Sequence, residues 1–114
     1  MDINEHQQWL VKFYEKRDWF KYPPQDRVNY ITEELGELSR AVRTIEVGRD
    51  HPGEKILNQA EKEDNLREEM ADVIDQVLVL AAKYDIKTDE LLEYSENKLK
   101  KRLIWMFNMS TAPV

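Results

Sequence analysis

The sequence predicts an all-α fold, and three observations carry that expectation. Charged residues make up 35% of the chain, against only three glycines and four prolines in 114 residues. So few turn-formers among so many charges suit helices with solvated outer faces better than a sheet. Two long segments also carry apolar residues at alternating spacings of four and three, the period of one helix face.

The elements follow in order. A first helix is expected from about Ile3 to Phe20, rich in aromatics (Trp9, Phe13, Tyr14, Trp19, Phe20) and ended by Pro23-Pro24. A second runs from Pro24 or Gln25 to Val47, with Ile31, Leu35, Leu38, Val42 and Ile45 on one face; Gly48 to Gly53, including His51 as a turn residue, closes it. A third segment begins near Glu54 or later and reaches Tyr84. Its polar first half, through Glu68, reads as a separate or frayed helix, and its second half carries Leu66, Met70, Val73, Val77 and Leu80. Thr88 is a candidate N-cap for a fourth helix to about Asn108, with Asp89 and Glu90 in its first turn complementing the helix dipole. The expected architecture is a single domain over residues 1–114, a four-to-five-helix bundle.

Size and charge narrow the function. Small domains bury a smaller fraction of their surface, so long apolar stripes in this chain gain from pairing with a second copy. The apolar end of the fourth helix, Leu103-Ile104-Trp105-Met106-Phe107, points the same way. A homo-oligomer is expected. A net charge of −6 argues against nucleic acid as a partner, which needs a basic footprint. With no cysteine there is no disulfide or thiolate zinc site. The stretch Met1-Asp2-Ile3-Asn4-Glu5 lacks the basic start and apolar run of a signal peptide, and no apolar run reaches membrane-spanning length, so a cytoplasmic location is expected with no membrane partner.

The chemistry concentrates in two acidic motifs. Glu33-Glu34-Leu35-Gly36-Glu37 lies on the second helix and Glu68-Glu69-Met70-Ala71-Asp72 on the third. Glu34 with Glu37, and Glu69 with Asp72, are three residues apart and share a helix face. On a helical wheel each pair flanks its own apolar stripe on the same rotational side, so packing the stripes together brings four carboxylates to one edge. Acid pairs on helices are commonly just solvated faces. Here the usual compensation is missing: at positions three and four residues away, only Glu37 finds a base, Arg40. Two carboxylates about 4 Å apart repel by about 4 kcal/mol at an effective dielectric of 20, so four converging acids call for divalent cations or protons. All-oxygen ligands favour Mg²⁺ or Mn²⁺ over Zn²⁺. His6 and His51 fit no ligand spacing; His6 is expected on the surface of the first helix.

At these residues the sequence resembles the MazG-like all-α nucleotide pyrophosphohydrolases, whose pattern is E-E-x-x-E followed by E-x-x-D on the next helix. Glu33, Glu34 and Glu37 match the first element, and Glu69 and Asp72 the second. The resemblance spans about Phe13 to Arg102. Arg17-Asp18-Trp19 with the two motifs looks particularly like the dCTP pyrophosphatase branch. The resemblance implies conversion of NTP and water to NMP and pyrophosphate, Mg²⁺ with Mn²⁺ as a substitute, and a bundle completed across a homodimer, often paired into a tetramer. It assigns metal binding to Glu34, Glu37, Glu69 and Asp72, and to Glu33 a supporting role in orienting or deprotonating the attacking water. Asn97 matches a family asparagine, with Lys98, Lys101 and Arg102 nearby as phosphate donors; an ordinary basic helix surface explains those bases equally well. Trp19 corresponds to a base-stacking tryptophan, and packing in the core or a dimer is the competing use.

The sequence departs from that branch at Leu10, where it has a base-contacting histidine, at Gln76, where it has a tyrosine, and at Thr44, where it has a second tryptophan. The spacer from Glu37 to Glu69 is also long. These differences leave the metal half of the pattern intact and the base preference open. Gly36 falls away from the carboxylate flank and is expected to permit close helix packing. The competing functions are a phosphoribosyl-ATP type of pyrophosphohydrolase and a non-catalytic helical dimerisation or nucleotide-binding module.

Overall fold

In the computed structural model, which describes residues 1–48, 52–53 and 55–111, the chain forms four helices: α1 (Ile3–Lys16), α2 (Pro24–Glu46), α3 (Gln59–Lys83) and α4 (Thr88–Thr111). There is no strand among the described residues, as the all-α expectation requires. No described helix is long and apolar enough to cross a membrane.

α1 starts at Asp2, whose side chain accepts from the amides of Asn4 and Glu5. It stops earlier than the prolines suggested. Asp18 adopts a left-handed conformation (φ 60°), and the amides of Trp19 and Phe20 turn back to the Tyr14 carbonyl. This is a left-handed C-terminal cap, with aspartate in a place glycine usually takes. It lifts Trp19 and Phe20 off the helix and folds them against Tyr14 and its neighbours.

α2 opens on Pro24, whose fixed φ suits a first helical position. α3 is one continuous helix of 25 residues, so its polar first half is neither separate nor a different helix. It begins at Asn58, which forms a capping box with Glu61: the Asn58 side chain takes the Glu61 amide at 2.8 Å and the Glu61 carboxylate takes the Asn58 amide at 3.2 Å. That box satisfies the orphan donors of a helix start whose side chains bury almost nothing.

α2 and α3 make the most extensive helix pairing. Glu37 meets Glu69 near the middle of both helices, while Arg27, earlier in α2, shares a cavity wall with Gln76, later in α3, so the two helices run antiparallel. α1 lies across α3, and Leu10 and Tyr14 pack with Leu78 and Val79 as the buried core, flanked by Phe13 and Phe20.

Gln7 ties three elements together. Its buried amide donates to the Leu78 carbonyl at 3.0 Å and the Ile86 carbonyl at 2.9 Å, and accepts the Thr88 amide at 3.0 Å. The Asp89 amide goes to Asn4 Oδ1 at 3.0 Å. The start of α4 is therefore capped by α1 side chains, and Thr88, expected to cap it, is instead a buried first residue whose hydroxyl has no partner. Gln7→Leu leaves the Thr88 amide without its acceptor and the Ile86 carbonyl without its donor, and is expected to cost about 2–4 kcal/mol in urea unfolding. A loss under about 0.5 kcal/mol would remove Gln7 from this role.

Beyond that start α4 projects. Every residue from Leu92 to Met109 is exposed, including Leu103, Ile104, Trp105, Met106 and Phe107. The radius of gyration is 19.2 Å, against about 13 Å for a compact chain of this length. The surface is 9112 Å², against about 6,600 Å² for a compact monomer of this mass. Two of the five residues of each apolar stripe are likewise uncovered: Leu35 and Val42 on α2, Met70 and Val77 on α3. Gly36 is not used for close packing within the protomer, since an added Cβ would meet nothing within 4 Å.

Candidate functional site

The antiparallel pairing of α2 with α3 brings three of the four expected carboxylates together. One carboxylate oxygen each from Glu34, Glu37 and Glu69 lies within 4.8 Å of the others. Asp72, one turn along α3, lines a cavity of about 330 Å³ with Glu34, Asp75, Trp9, Leu10 and Tyr14. Among the described residues no lysine or arginine forms an ion pair with any of the four, and Arg40 does not pair with Glu37.

The charge state registers this crowding. Burial, then repulsion from Glu37, Asp72 and Glu69, pushes the Glu34 carboxyl up to about 7. Burial and the neighbouring Glu37 carboxyl raise Glu69. Burial, followed by the charges of Glu68, Asp75 and Glu37, raises Asp72. One oxygen each of Glu34 and Glu69 is buried with no hydrogen-bond partner. Buried acceptors are ordinarily satisfied. An all-oxygen donor set with orphaned lone pairs and no compensating base fits a hard divalent cation such as Mg²⁺, which would supply the missing positive charge.

A second cavity, of about 340 Å³, adjoins the first, with Tyr14 and Gln76 in the walls of both. Its other walls are Trp19, Tyr22, Tyr30 and Arg27. The Trp19 ring meets Tyr14 edge-on at 5.7 Å, and the Arg17 guanidinium covers it at 5.1 Å. Aromatic walls beside a carboxylate cluster suit a planar ring carried on a phosphate chain.

The remaining expected site residues fall elsewhere. Glu33 is exposed beside Glu34 and lines neither cavity. Asn97, Lys98 and Lys101 are exposed on α4 and line a separate cavity with Tyr94 and Arg102. Leu10 is buried core and forms part of the carboxylate cavity's wall. Thr44 is buried, and its hydroxyl bonds the Arg40 carbonyl at 2.8 Å. His51 lies outside the described residues. His6 is no simple surface residue: half-buried, it meets Asp75 at 2.8 Å and stacks on Trp9.

Asp75, Arg27 and Tyr14 were given no site role from sequence. Asp75 had a signal, since Glu69, Asp72 and Asp75 continue one helix face at spacings of three. Arg27 had none, because nothing local distinguishes it from a solvated arginine in a first helical turn.

A MazG nucleotide pyrophosphohydrolase domain model matches residues 23–107. The chain is similar to the uncharacterized protein YvdC of Bacillus subtilis (strain 168), with 43% identity over 102 residues, covering 90% of this chain and 96% of that protein. No solved structure matches significantly.

Proposed function

The chain belongs to the MazG nucleotide pyrophosphohydrolase domain family, and on that premise we propose that it hydrolyses a nucleoside triphosphate, ribo or deoxy, to the monophosphate and pyrophosphate. The observation that carries the reading is the convergence of Glu34, Glu37 and Glu69 with two buried, unpartnered oxygens. Glu34, Glu37, Glu69 and Asp72 would hold Mg²⁺, with Mn²⁺ as a substitute. A bound ion of this class neutralises phosphate charge and lowers the pKa of water.

The chain's own residues do the rest. The four acids fix where the phosphates must lie, because an anionic chain can approach this acidic edge only at the compensated point. Glu33, exposed beside Glu34, takes from the family pattern the role of orienting the attacking water and taking its proton. The nucleoside then extends into the aromatic cavity, where Trp19 offers a stacking surface.

A second copy completes the bundle in this reading. The surface excess, the partly exposed stripes of α2 and α3 and the exposed length of α4 are what a protomer shows when its core continues into a partner. Asn97, Lys98 and Lys101, remote from the acids within one chain, would then serve phosphates in the assembled dimer or dimer of dimers. α1 precedes the matched range yet supplies Leu10 and Tyr14 to the core, which supports one domain over residues 1–114. Nucleotide-pool cleaning in the cytoplasm is the corresponding role.

The test is pyrophosphate release over a panel of NTPs and dNTPs with Mg²⁺, beside light scattering. Turnover of at least one nucleotide and a mass of two or four chains are expected. No turnover on the whole panel leaves a non-catalytic nucleotide-binding or dimerisation module, and a monomer removes the shared bundle.

A further inference from the structure

The aromatic cavity contains a buried cation that no anion balances. Arg27 is 2% exposed and pairs with no carboxylate among the described residues. Its guanidinium lies 4.8 Å from the centre of the Tyr14 ring, 5.6 Å from Tyr30 and 5.9 Å from Tyr22. One Nη donates to the Trp19 carbonyl. Its Nε is buried with no acceptor, and in the same cavity Gln76 Oε1 is buried with no donor. The other end of the Gln76 amide, Nε2, donates to the Tyr14 hydroxyl at 3.1 Å.

Three aromatic faces offset part of the cost of burying a guanidinium. They do not satisfy its N–H groups, and a buried donor left unmade is expensive. Nor is the cavity remote from the acids. Arg27 is seven residues before Glu34 on α2, about 10 Å along the axis at 1.5 Å per residue, and Gln76 is one turn past Asp72 on α3. The unpaired donor and acceptor therefore lie on the same side of the bundle as the carboxylates, one cavity further along.

We propose that Arg27 and Gln76 read the edge of the nucleotide base, Arg27 donating to an exocyclic carbonyl oxygen and Gln76 Oε1 accepting from the ring N–H beside it. This rests on the nucleotide reading above and adds the base class. Uracil, thymine, guanine and hypoxanthine present a carbonyl next to a ring N–H. Adenine has no carbonyl for the guanidinium. Cytosine sets a ring nitrogen lone pair beside its carbonyl, against the lone pairs of Gln76 Oε1. On this geometry the site selects lactam bases and rejects adenine.

The experiment uses the full chain with Mg²⁺ and has two arms. The first compares kcat/KM for UTP, dTTP, GTP and ITP with those for ATP and CTP. The second measures binding of UMP, GMP, CMP and AMP by quenching of tryptophan fluorescence, which needs no turnover. The lactam bases are expected to lead ATP by at least about tenfold in both arms, the scale of one hydrogen bond to a charged group. Arg27→Lys, which keeps a cation over the rings but loses the fork, and Gln76→Leu, which leaves Arg27 in place, should each shrink that lead by about tenfold. Equal handling of adenine and uracil by the wild type overturns the proposal. So does an equal loss across all bases in both variants, since that is what a purely structural Arg27 and Gln76 would give. Absence of turnover with selective UMP and GMP binding would defeat the hydrolase reading and leave base recognition standing; binding of no monophosphate defeats base recognition.

Discussion

Glu37→Ala is expected to abolish most turnover while making the metal-free protein more stable. Glu37 lies against both Glu34 and Glu69 and contributes to the raised pKa of each. Removing it would take one proposed ligand from the cation and free its neighbours of a like charge. Loss of a group that fixes a catalytic metal is expected to lower kcat/KM by at least about a hundredfold at fixed Mg²⁺. Relief of repulsion should raise unfolding stability in EDTA by about 1 kcal/mol, the opposite of what an ordinary truncation does. Pyrophosphate release and urea melts with and without Mg²⁺ read both effects. The pairing of lost activity with gained stability is the signature of a functional cluster kept at a structural cost. Unchanged turnover in Glu37→Ala and in Asp72→Ala would refute the catalytic assignment.

The second large effect is in pH. Glu34 moves from an ordinary 4.5 to about 7 in the folded chain. Below pH 4.5 the carboxyl is protonated folded and unfolded, and contributes nothing. Between 4.5 and 7 the unfolded chain releases its proton while the folded one holds it, so stability falls as pH rises. Above 7 both forms are ionised and the whole penalty remains. A separation of this size corresponds to at most about 3 kcal/mol, and partial solvation brings that nearer 1–2 kcal/mol. Glu69 and Asp72, both raised, act in the same direction. In EDTA the urea midpoint should therefore drop from pH 5 to pH 8. Saturating Mg²⁺ should flatten the drop, because a cation binds the ionised form and its affinity grows across the same interval. A flat profile in EDTA would mean that the carboxylates do not crowd one another in solution.

How much of this was written in the chain varies by element. Helix type was legible because amphipathic periods repeat over many residues. The ends were less so. The Asn58 and Glu61 pair was a readable capping box, yet it lay inside a polar stretch whose lack of an apolar face suggested fraying. Thr88 had the composition of a cap, but Gln7 and Asn4, more than eighty residues away, took the α4 amides instead. The early end of α1 turned on the left-handed conformation of Asp18, which no periodicity encodes.

The same division runs through the site. Glu34, Glu37, Glu69 and Asp72 could be found from sequence because spacing places acids on one helix face, and a single base at helical spacing, Arg40, leaves them largely uncompensated. Sequence by itself thus determined an all-α chain with two clearly amphipathic segments and two acidic pairs in which only Glu37 has a base at helical spacing. Tertiary structure alone decided that the pairs meet, that one oxygen of Glu34 and one of Glu69 are left orphaned, and that Arg27 is a caged cation facing Gln76. The reason is physical: a helix's own period fixes which side chains share its face, whereas the neighbours that face acquires depend on how separate helices pack and which polar atoms that packing leaves without water.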